Sequence, residues 1–315
     1  MAYEIWRKLQ QKHRPTVSDG LFFKPSMIYI NKLFFNSMGI MSLLPLSILY
    51  IISKILFFIT YYIIKYRRDI IINNLEKSFP KKNKKEIKKM SKKYYQNFCD
   101  ILMEIVKMIS ISKTTLEKRF QYENIEMIEK YIKKNQTIIL CLGHYANWEW
   151  GLLSISNKTT ANILGVYKEI KNKYINDKIL EIRSKFGAKL SNMRNCLKII
   201  QQEKEKANII CLITDQSPKT PENKYWGVFL NQETSIMTGV EKISKKYNYP
   251  VIFANINQVK KGYYKVIFQE ISNKPKETNK FEITKKHTQQ LEKQILTNPT
   301  FWLWSHKRWK HKKKK

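Results

Sequence analysis

Residues Thr137–Gly151 read TIILCLGHYANWEWG and contain the clearest secondary-structure pattern of the chain. Its first six residues form an apolar, partly β-branched run of the kind that builds a buried strand. Gly143 then permits a tight turn, and Asn147 can cap a helix that continues through Trp148 and Glu149. A strand, a turn and a helix in this order predict one unit of an α/β domain.

The rest of the chain repeats this alternation of short apolar runs and helical patterns. The predicted strands are Thr137–Leu142, Asn208–Ile213, Val251–Ile256 and Tyr263–Phe268. The predicted helices are Lys84–Ile109, Asn172–Phe186, Cys196–Lys206, Met237–Tyr247 and Phe281–Leu296. Such alternation predicts an α/β fold with a largely parallel or mixed β-sheet covered by helices.

The composition excludes several classes of protein. Of the 315 residues, 43% are hydrophobic and 13% are aromatic, which is enough for a sizeable core and excludes disorder over most of the chain. The four cysteines show no paired spacing, so a disulfide scaffold is excluded and a reducing compartment is indicated. The formal net charge of +34 attracts anionic membranes, nucleic acids or acidic proteins. Heavy use of Lys, Asn and Ile throughout leaves compositional drift open as a source of part of this charge.

An apolar segment near the N-terminus predicts membrane association. Residues 37–66 contain the run Met41–Ile64, whose length fits a helix that spans a bilayer. The basic cluster at positions 65–68 would mark a cytoplasmic flank. Lys54 lies near the middle of the run, where a charge costs about 2.5–3.5 kcal/mol. A buried helix hairpin in a soluble core is therefore the alternative interpretation.

These patterns divide the chain into four predicted segments. They are a leader of unassigned role at residues 1–36, a membrane-anchor helix at 37–66, an α/β domain at 67–309 and a solvated basic tail at 310–315. The leader does not read as a secretory signal, because it is too long and no small-residue cleavage site follows the apolar run.

His144 is the strongest candidate for a catalytic residue. It follows the predicted strand, at the edge where ligand sites of α/β sheets gather. With His144 on the turn and Glu149 in the first helical turn, the carboxylate can fold back onto one imidazole nitrogen and leave the other free to take a proton. The alternative is a hydrogen-bonded histidine of the core. The same spacing recurs at His287 and Glu292 within one predicted helix, where we expect two surface residues that face different directions.

Other chemical patterns are weaker. Cys141 precedes His144 by three residues and Cys211 lies on another predicted strand, so a thiol nucleophile or a metal site is conceivable. A cysteine in the middle of an apolar strand is more often a small buried hydrophobe. The sequence has no Walker loop, dinucleotide-binding glycine pattern, HExxH or CxxC motif, and we predict no metal and no cofactor. The cluster Phe301–Trp309 could stack bases, lie in a lipid headgroup layer or pack at the end of the domain.

Gly143–Trp150 resembles the H-x4-D/E motif of the lysophospholipid acyltransferase superfamily. It is most similar to the lipid A biosynthesis (lauroyl/myristoyl) acyltransferases, in the form of Bacteroidetes-type bacteria. Glu149 stands where the superfamily more commonly has Asp, which is usual in this branch. The resemblance covers about Met41–Trp309. Further motif blocks follow in the family's order: Gly165–Lys168 with Asn172, Arg183–Gly187, Asp215–Pro218, Phe229–Gly239 with Glu241 and Lys242, and Pro299–Trp309.

The resemblance implies a membrane anchor and a mixed sheet wrapped by helices, with the H-x4-E motif at the mouth of an acyl-chain groove. It implies an O-acyltransferase that moves a fatty acyl group from acyl carrier protein to a hydroxyl of a lipid A precursor, late in lipopolysaccharide biosynthesis. His144 would be the general base and Glu149 its orienter. The residues that would line the substrate site are Asn147, Tyr167, Lys168, Asn172, Arg183, Asp215 and Gln216.

The same resemblance implies a location at the bacterial inner membrane, with the catalytic domain on the cytoplasmic side and in contact with membrane lipid. Two other interpretations stay open. An acyltransferase that acts on a lysophospholipid or another lipid acceptor would carry the same motifs. A non-catalytic basic protein that binds nucleic acid would explain the charge, but it needs neither the apolar run nor the setting of His144, so we expect no nucleic-acid partner.

Overall fold

A computed structural model describes residues 23–202, 208–220 and 225–313. Most of the predicted leader and the last two residues of the predicted tail therefore lie outside the described residues. The helices are α1 (Phe23–Leu43), α2 (Leu46–Phe58), α3 (Arg68–Ser78), α4 (Lys84–Lys107), α5 (Lys113–Arg119), α6 (Glu126–Ile132), α7 (Trp148–Lys158), α8 (Lys173–Ser184), α9 (Cys196–Gln202), α10 (Gly239–Tyr247) and α11 (Glu282–Thr297). The strands are β1 (Phe120–Tyr122), β2 (Ile138–Leu142), β3 (Asn162–Tyr167), β4 (Lys189–Asn192), β5 (Asn208–Ile213), β6 (Tyr225–Phe229), β7 (Gln232–Ile236), β8 (Val251–Lys260) and β9 (Tyr263–Ser272).

Seven of these strands form one sheet, in the order β1-β9-β8-β2-β5-β3-β4, and β6 and β7 form a separate hairpin. Neighbouring strands of the sheet run parallel except β8 and β9, which are antiparallel. The central strands are the apolar runs of the sequence, because a parallel strand covered on both faces has no polar face. Helices flank the sheet. The expected mixed α/β architecture is confirmed.

The sequence patterns located the long elements and missed the short ones. The four predicted strands are present, and β8 and β9 extend beyond their apolar runs to the ends of a long hairpin. The short edge strands β1 and β4 and the hairpin β6–β7 were not predicted. Strands β1 and β4 are only three and four residues long, too short for a periodic pattern to stand out, and β6 contains Gly227, which weakens its strand pattern. Strand β3 was also missed.

The predicted anchor segment does not form one continuous helix, since it is interrupted at Pro45. Helix α1 ends at Leu43, and Pro45 caps α2, because proline lacks the N–H that a continuing helix would need. Helix α2 continues as one π-helical stretch, Ile59–Ile63. The segment Leu46–Ile63 is nevertheless apolar and long enough to cross a membrane, and 28% of it is buried.

One face of α2 packs along α4 of the α/β domain. Leu49 and Ser53 are buried in this contact, and the Ser53 hydroxyl donates to Asp100 on α4. The opposite face carries exposed apolar side chains. They are Ile48, Ile51, Ile55, Phe58, Tyr62 and Ile63. The apolar segment is thus an amphipathic layer on the domain, with one side attached to the protein and the other uncovered.

The C-terminal aromatic cluster packs inside the domain, as one of the three interpretations expected. Trp302 and Trp304 are buried, with ring centroids 4.8 Å apart, and Arg308 is buried over the ring of Phe229. The tail that follows is partly attached, because His311 lies 2.8 Å from the carbonyl oxygen of Pro218.

Candidate active site

The sheet brings two polar residues together at the carboxyl ends of its central strands. Strands β2 and β5 are parallel neighbours whose last residues, Leu142 and Ile213, are paired. His144 and Asp215 each follow two residues later, so both emerge at the same point of the sheet edge. Ligand sites of parallel sheets gather at this edge.

Asp215 is bound to His144 twice. Its Oδ1 lies 2.6 Å from the imidazole Nδ1, and its Oδ2 accepts the backbone N–H of His144 at 2.9 Å. The indole N–H of Trp302 donates to the same Oδ2 at 2.8 Å. The Asp215 side chain is 2% exposed and the His144 side chain is 19% exposed, so the carboxylate is covered and the ring reaches solvent.

The sequence therefore predicted the wrong partner for the imidazole, which is Asp215 and not Glu149. Glu149 does not fold back onto His144; it forms two bonds with Arg183, at 2.8 Å to Nε and 2.5 Å to Nη2. The reason is the position of the two residues relative to the start of α7. His144 stands before the helix, and Glu149, in its first turn, presents its carboxylate to α8, where Arg183 lies.

Both carboxylates are held ionised by their partners. Burial alone would raise the pKa of Asp215, but the charge and hydrogen bonds of His144, with help from Trp302, lower it to about 2. Burial opposes ionisation of Glu149 as well, and the Arg183 guanidinium outweighs it and holds the Glu149 pKa below its usual value. The site thus contains two separate carboxylate pairs, Asp215 with the His144 ring and Glu149 with the Arg183 guanidinium.

The second imidazole nitrogen faces the site. The amide nitrogen of Gln216 lies 3.3 Å from His144 Nε2. With Nδ1 donating to Asp215, Nε2 is the acceptor of the neutral ring. A substrate hydroxyl that took the place of the amide would meet this lone pair. Asp215 and Gln216 were predicted to line the site edge, and both contact His144 there.

The turn that carries His144 is fixed by the backbone of the C-terminal segment. The N–H of Leu303 donates to the carbonyl of His144 at 3.1 Å, and the N–H of Ala146 donates to the carbonyl of Phe301 at 3.2 Å. Ala146 has φ 51°, a left-handed conformation that is costly for a residue with a Cβ. These contacts hold it there.

Gly143 has a different role from the one expected. Its φ is not positive, so the turn does not depend on the freedom of glycine. A Cβ at this position would lie 2.5 Å from Leu291 Cδ1 and 3.3 Å from Asp215 Oδ2. Glycine is favoured here because a Cβ would displace the Leu291 side chain of α11 and crowd the Asp215 carboxylate.

Asn147 caps α7 as predicted, since its Oδ1 accepts the N–H of Trp150 at 2.9 Å. Its Nδ2 donates to Glu104, and the side chain is fully buried, so both polar ends are engaged. Asn172 caps α8 in the same way through Ile175. These two residues, which the resemblance placed in the substrate site, have structural roles.

Tyr167 and Lys168 lie at the end of β3, the strand beside β5. Tyr167 is close enough to Arg183 to contribute to the raised pKa of its guanidinium, and Lys168 is exposed. Neither contacts His144. They lie at the same edge of the sheet as His144 and Asp215, one strand further from β2.

The second H-x4-E pair is not on the surface. His287 is 5% exposed, inside the domain, and burial lowers its pKa to about 4. Glu292 accepts the backbone N–H of Leu230 at 2.5 Å. The two side chains do point to different surroundings, as a continuous helix requires. The expectation of exposure is wrong because α11 turns His287 toward the sheet rather than to solvent.

The cysteines give no support for a thiol nucleophile. Cys141 is buried and burial raises its pKa, and burial raises the pKa of Cys211 to about 12. Neither thiol would ionise near neutral pH. Within the described ranges, no group of His, Cys, Asp and Glu side chains could hold a metal ion.

A comparison with protein-family models now decides the class of protein. Residues 23–311 match the family described as bacterial lipid A biosynthesis acyltransferase. The chain belongs to this family. Among curated proteins, no match to the acyltransferase was found. The resemblance stated above is thereby confirmed, and the enzyme is favoured over the non-catalytic nucleic-acid-binding protein.

Three residues of the candidate site were missed by sequence reasoning. Trp302 holds Asp215, and His306 accepts the N–H of Ser217 at 3.1 Å, beside Gln216. Glu104 binds the cap residue Asn147 from α4. Burial lowers the pKa of His306 to about 4, so it is a neutral acceptor. The only signal for Trp302 and His306 was the C-terminal motif block itself; no local pattern pointed to Glu104.

Gly143→Ala tests the close approach at the end of β2. We expect the free energy of unfolding to fall by about 1–3 kcal/mol, because the added methyl overlaps Leu291. Turnover should fall as well, since the methyl also crowds the Asp215 carboxylate. Gly239→Ala is the matched control, because nothing lies within 4 Å of a Cβ there. Denaturant unfolding and turnover of both variants provide the measurement. Equal values for the two variants would contradict this account of Gly143.

Proposed function

We propose that this acyltransferase moves a fatty acyl group from the thioester of acyl carrier protein to a hydroxyl of a lipid A precursor, in a late acylation step. The observation that carries the proposal is the Asp215–His144 pair at the sheet edge, with Nδ1 engaged at 2.6 Å and Nε2 directed to the site. The family supplies the reaction class, and the pair supplies a base.

In this mechanism His144 Nε2 takes the proton of the acceptor hydroxyl as its oxygen attacks the thioester carbonyl. Asp215 holds the imidazole in the tautomer with Nδ1–H and stabilises the imidazolium that forms. The C–O bond of the new ester forms, the C–S bond breaks, and the thiolate takes the proton back from Nε2. A thioester is already activated, so no covalent enzyme intermediate is needed.

Two features support stabilisation of the oxyanion next to His144. The cap side chain of Asn147 engages the N–H of Trp150, which leaves the first two N–H groups of α7, those of Trp148 and Glu149, directed out of the helix start. Arg183, fixed by Glu149, adds a positioned cation. We therefore assign Glu149 to the placement of Arg183, toward the oxyanion or an acceptor phosphate, and not to the imidazole.

We further propose that the uncovered apolar face of α2 lies in the inner membrane, parallel to its surface. Because α2 is attached to α4 along its length, a helix lying in the interface fits better than one that crosses the bilayer. Lys54 is exposed, and from such a helix it can extend to the headgroups. The four free cysteines support placing the catalytic domain on the cytoplasmic side.

An acidic donor such as acyl carrier protein has a suitable surface in the first half of α4. Six exposed lysines lie there on one helix face, which we call the lysine face; they are Lys84, Lys85, Lys88, Lys89, Lys92 and Lys93. In the part of the chain that the structure describes, none of them pairs with a carboxylate. A surface of one sign steers an oppositely charged partner and accelerates its association.

Replacing Asp215 tests the catalytic assignment. Asp215→Asn keeps the shape of the side chain. Its single amide oxygen would accept the backbone N–H of His144 and the indole N–H of Trp302. The amide nitrogen then faces Nδ1 of His144 and donates to it. The ring then takes the Nε2–H tautomer and has no base, so we expect kcat to fall about 10³–10⁴-fold. His144→Ala should lose at least as much.

Glu149→Gln is the informative comparison for that variant. It breaks the pair with Arg183 and leaves the imidazole oriented, so we expect a smaller loss, about 10–100-fold. Asp177→Asn removes an exposed carboxylate and should keep wild-type turnover. Turnover is measured with acyl carrier protein donor and lipid A precursor, and the lipid products are read by mass. An active Asp215→Asn beside an inactive Glu149→Gln would contradict the proposal.

Aspartate substitutions on α2 test the membrane face. Ile55→Asp with Phe58→Asp should leave the fold intact, since both side chains are exposed, but should release the protein from membranes into the soluble fraction. Val259→Asp with Leu296→Asp, two exposed apolar residues elsewhere, is the matched control and should stay membrane-bound. Extraction with alkaline carbonate provides the measurement. If carbonate releases the wild type quantitatively, the protein is bound to membranes by charge alone and the proposal for α2 is contradicted.

Neutralising the lysine face tests the donor. Lys85→Gln, Lys88→Gln and Lys89→Gln together should raise the KM for acyl carrier protein several-fold at low salt. The difference should shrink as salt rises, because exposed charges are screened within about 8 Å at physiological ionic strength. The control triple variant of Lys276, Lys280 and Lys285 removes equal charge from another exposed surface. If the KM changes neither with salt nor in either triple variant, the lysine face does not bind the donor, and the net charge reflects compositional drift.

A further inference from the structure

We propose that Glu104 is a positioning residue, whose buried carboxylate ties the His144 turn to the apolar helix α2. The inference is drawn from contacts among described residues, and it rests on the proposed function only where turnover is the readout.

Three hydroxyl or amide donors from three elements converge on Glu104. On one side, Oε1 accepts the Tyr50 hydroxyl of α2 at 2.8 Å. On the other, Oε2 accepts the Tyr264 hydroxyl of β9 and the Asn147 amide, both at 2.6 Å. The backbone carbonyl of Glu104 accepts the indole N–H of Trp150 at 2.8 Å. One residue of α4 therefore holds α2, the sheet and the start of α7 together.

A carboxylate is an expensive choice for this position. Glu104 is fully buried, and no cation among the described residues forms an ion pair with it. Burial raises the pKa of Glu104 to about 7, although the three donors oppose this. Packed apolar side chains would hold three elements together at lower cost. What an ionised carboxylate adds is direction, because it accepts at both oxygens and donates at neither, and the three donors that point at Glu104 favour this form.

The direction matters at Asn147. Its Nδ2 points to Glu104 and its Oδ1 points to the N–H of Trp150, so Glu104 decides which end of the amide caps α7. The residue before the cap, Ala146, stands in the left-handed conformation, which persists only where its surroundings enforce it. Glu104 thus fixes the end of the turn whose other end carries His144.

Tyr50 extends this connection to α2, whose opposite face is uncovered and apolar. A neighbouring contact provides a control: Ser53, one turn further along α2, donates to Asp100, which is paired with Lys261 at 2.6 Å and has no contact with the turn. Both bonds join α2 to α4; that of Ser53 is buried and that of Tyr50 is partly buried. Only that of Tyr50 ends on the carboxylate that orients Asn147.

The first experiment compares Tyr50→Phe with Ser53→Ala. Each variant removes one hydroxyl from the same interface, so similar losses in Tm are expected. Only Tyr50→Phe should lower kcat, by about 5- to 20-fold with KM unchanged, because it loosens the placement of the base. It should also increase hydrogen exchange in a peptide that spans residues 143–150, which is read by mass spectrometry and needs no substrate.

The second experiment reverses donor and acceptor. Asn147→Asp places two carboxylates together and should lose at least about tenfold in kcat, whereas Glu104→Gln can keep its amide oxygen toward Asn147 and should lose less. The double variant restores the bond with opposite polarity, and Asp remains a good cap, so we expect it to recover most of the loss.

Equal effects of Tyr50→Phe and Ser53→Ala on exchange in residues 143–150, or a double variant no better than Asn147→Asp alone, would overturn the role of Glu104. A wild type without transfer to the lipid A precursor would count against the proposed function alone, since the exchange comparison still tests Glu104.

Discussion

The bond between Asp215 and His144 is the contact on which the rest of the site depends. The carboxylate is almost fully covered, and it stays ionised because it accepts three N–H groups, two from His144 and one from Trp302. The parallel pairing of β2 with β5 places it, and the C-terminal segment closes over it. Because the same segment binds the backbone of the His144 turn, the aromatic end of the chain is part of the active site and not an accessory to it.

The two residues of the H-x4-E motif do not pair with each other, although their spacing had indicated that they would. Histidine and glutamate belong to one strand–turn–helix unit, yet each takes its partner from elsewhere in the fold: His144 from the end of β5, and Glu149 from α8. Two carboxylate pairs then lie at the sheet edge: Asp215 orients the His144 ring, and Glu149 positions the Arg183 cation. Glu104, below them, is held by neutral donors, and we infer that it orients the chain between them.

The sequence was sufficient for the parts of this picture that are local. The apolar runs of β2 and β5 and the cap at Asn147 follow from periodicity and from side-chain chemistry within a few residues, and the order of motifs indicated the family. The partner of His144 was out of reach, because it depends on which strands are neighbours, and no local pattern encodes the pairing of β2 with β5. The break at Pro45 could have been predicted, since proline disfavours a continuous helix, but the unbroken apolar run favoured a single spanning helix. The burial of His287 depends on which way α11 rolls against the sheet.

The most direct test of the central claim is the tautomer of His144. Nitrogen-15 spectra of the protein labelled at its five histidines, with His144 assigned by substitution, separate a ring protonated at Nδ1 from one protonated at Nε2. At a pH where the ring is neutral, the account predicts the Nδ1–H form in the wild type and the Nε2–H form in Asp215→Asn, with Glu149→Gln unchanged from the wild type. An Nε2–H ring in the wild type, or a tautomer that follows Glu149 and not Asp215, would contradict it.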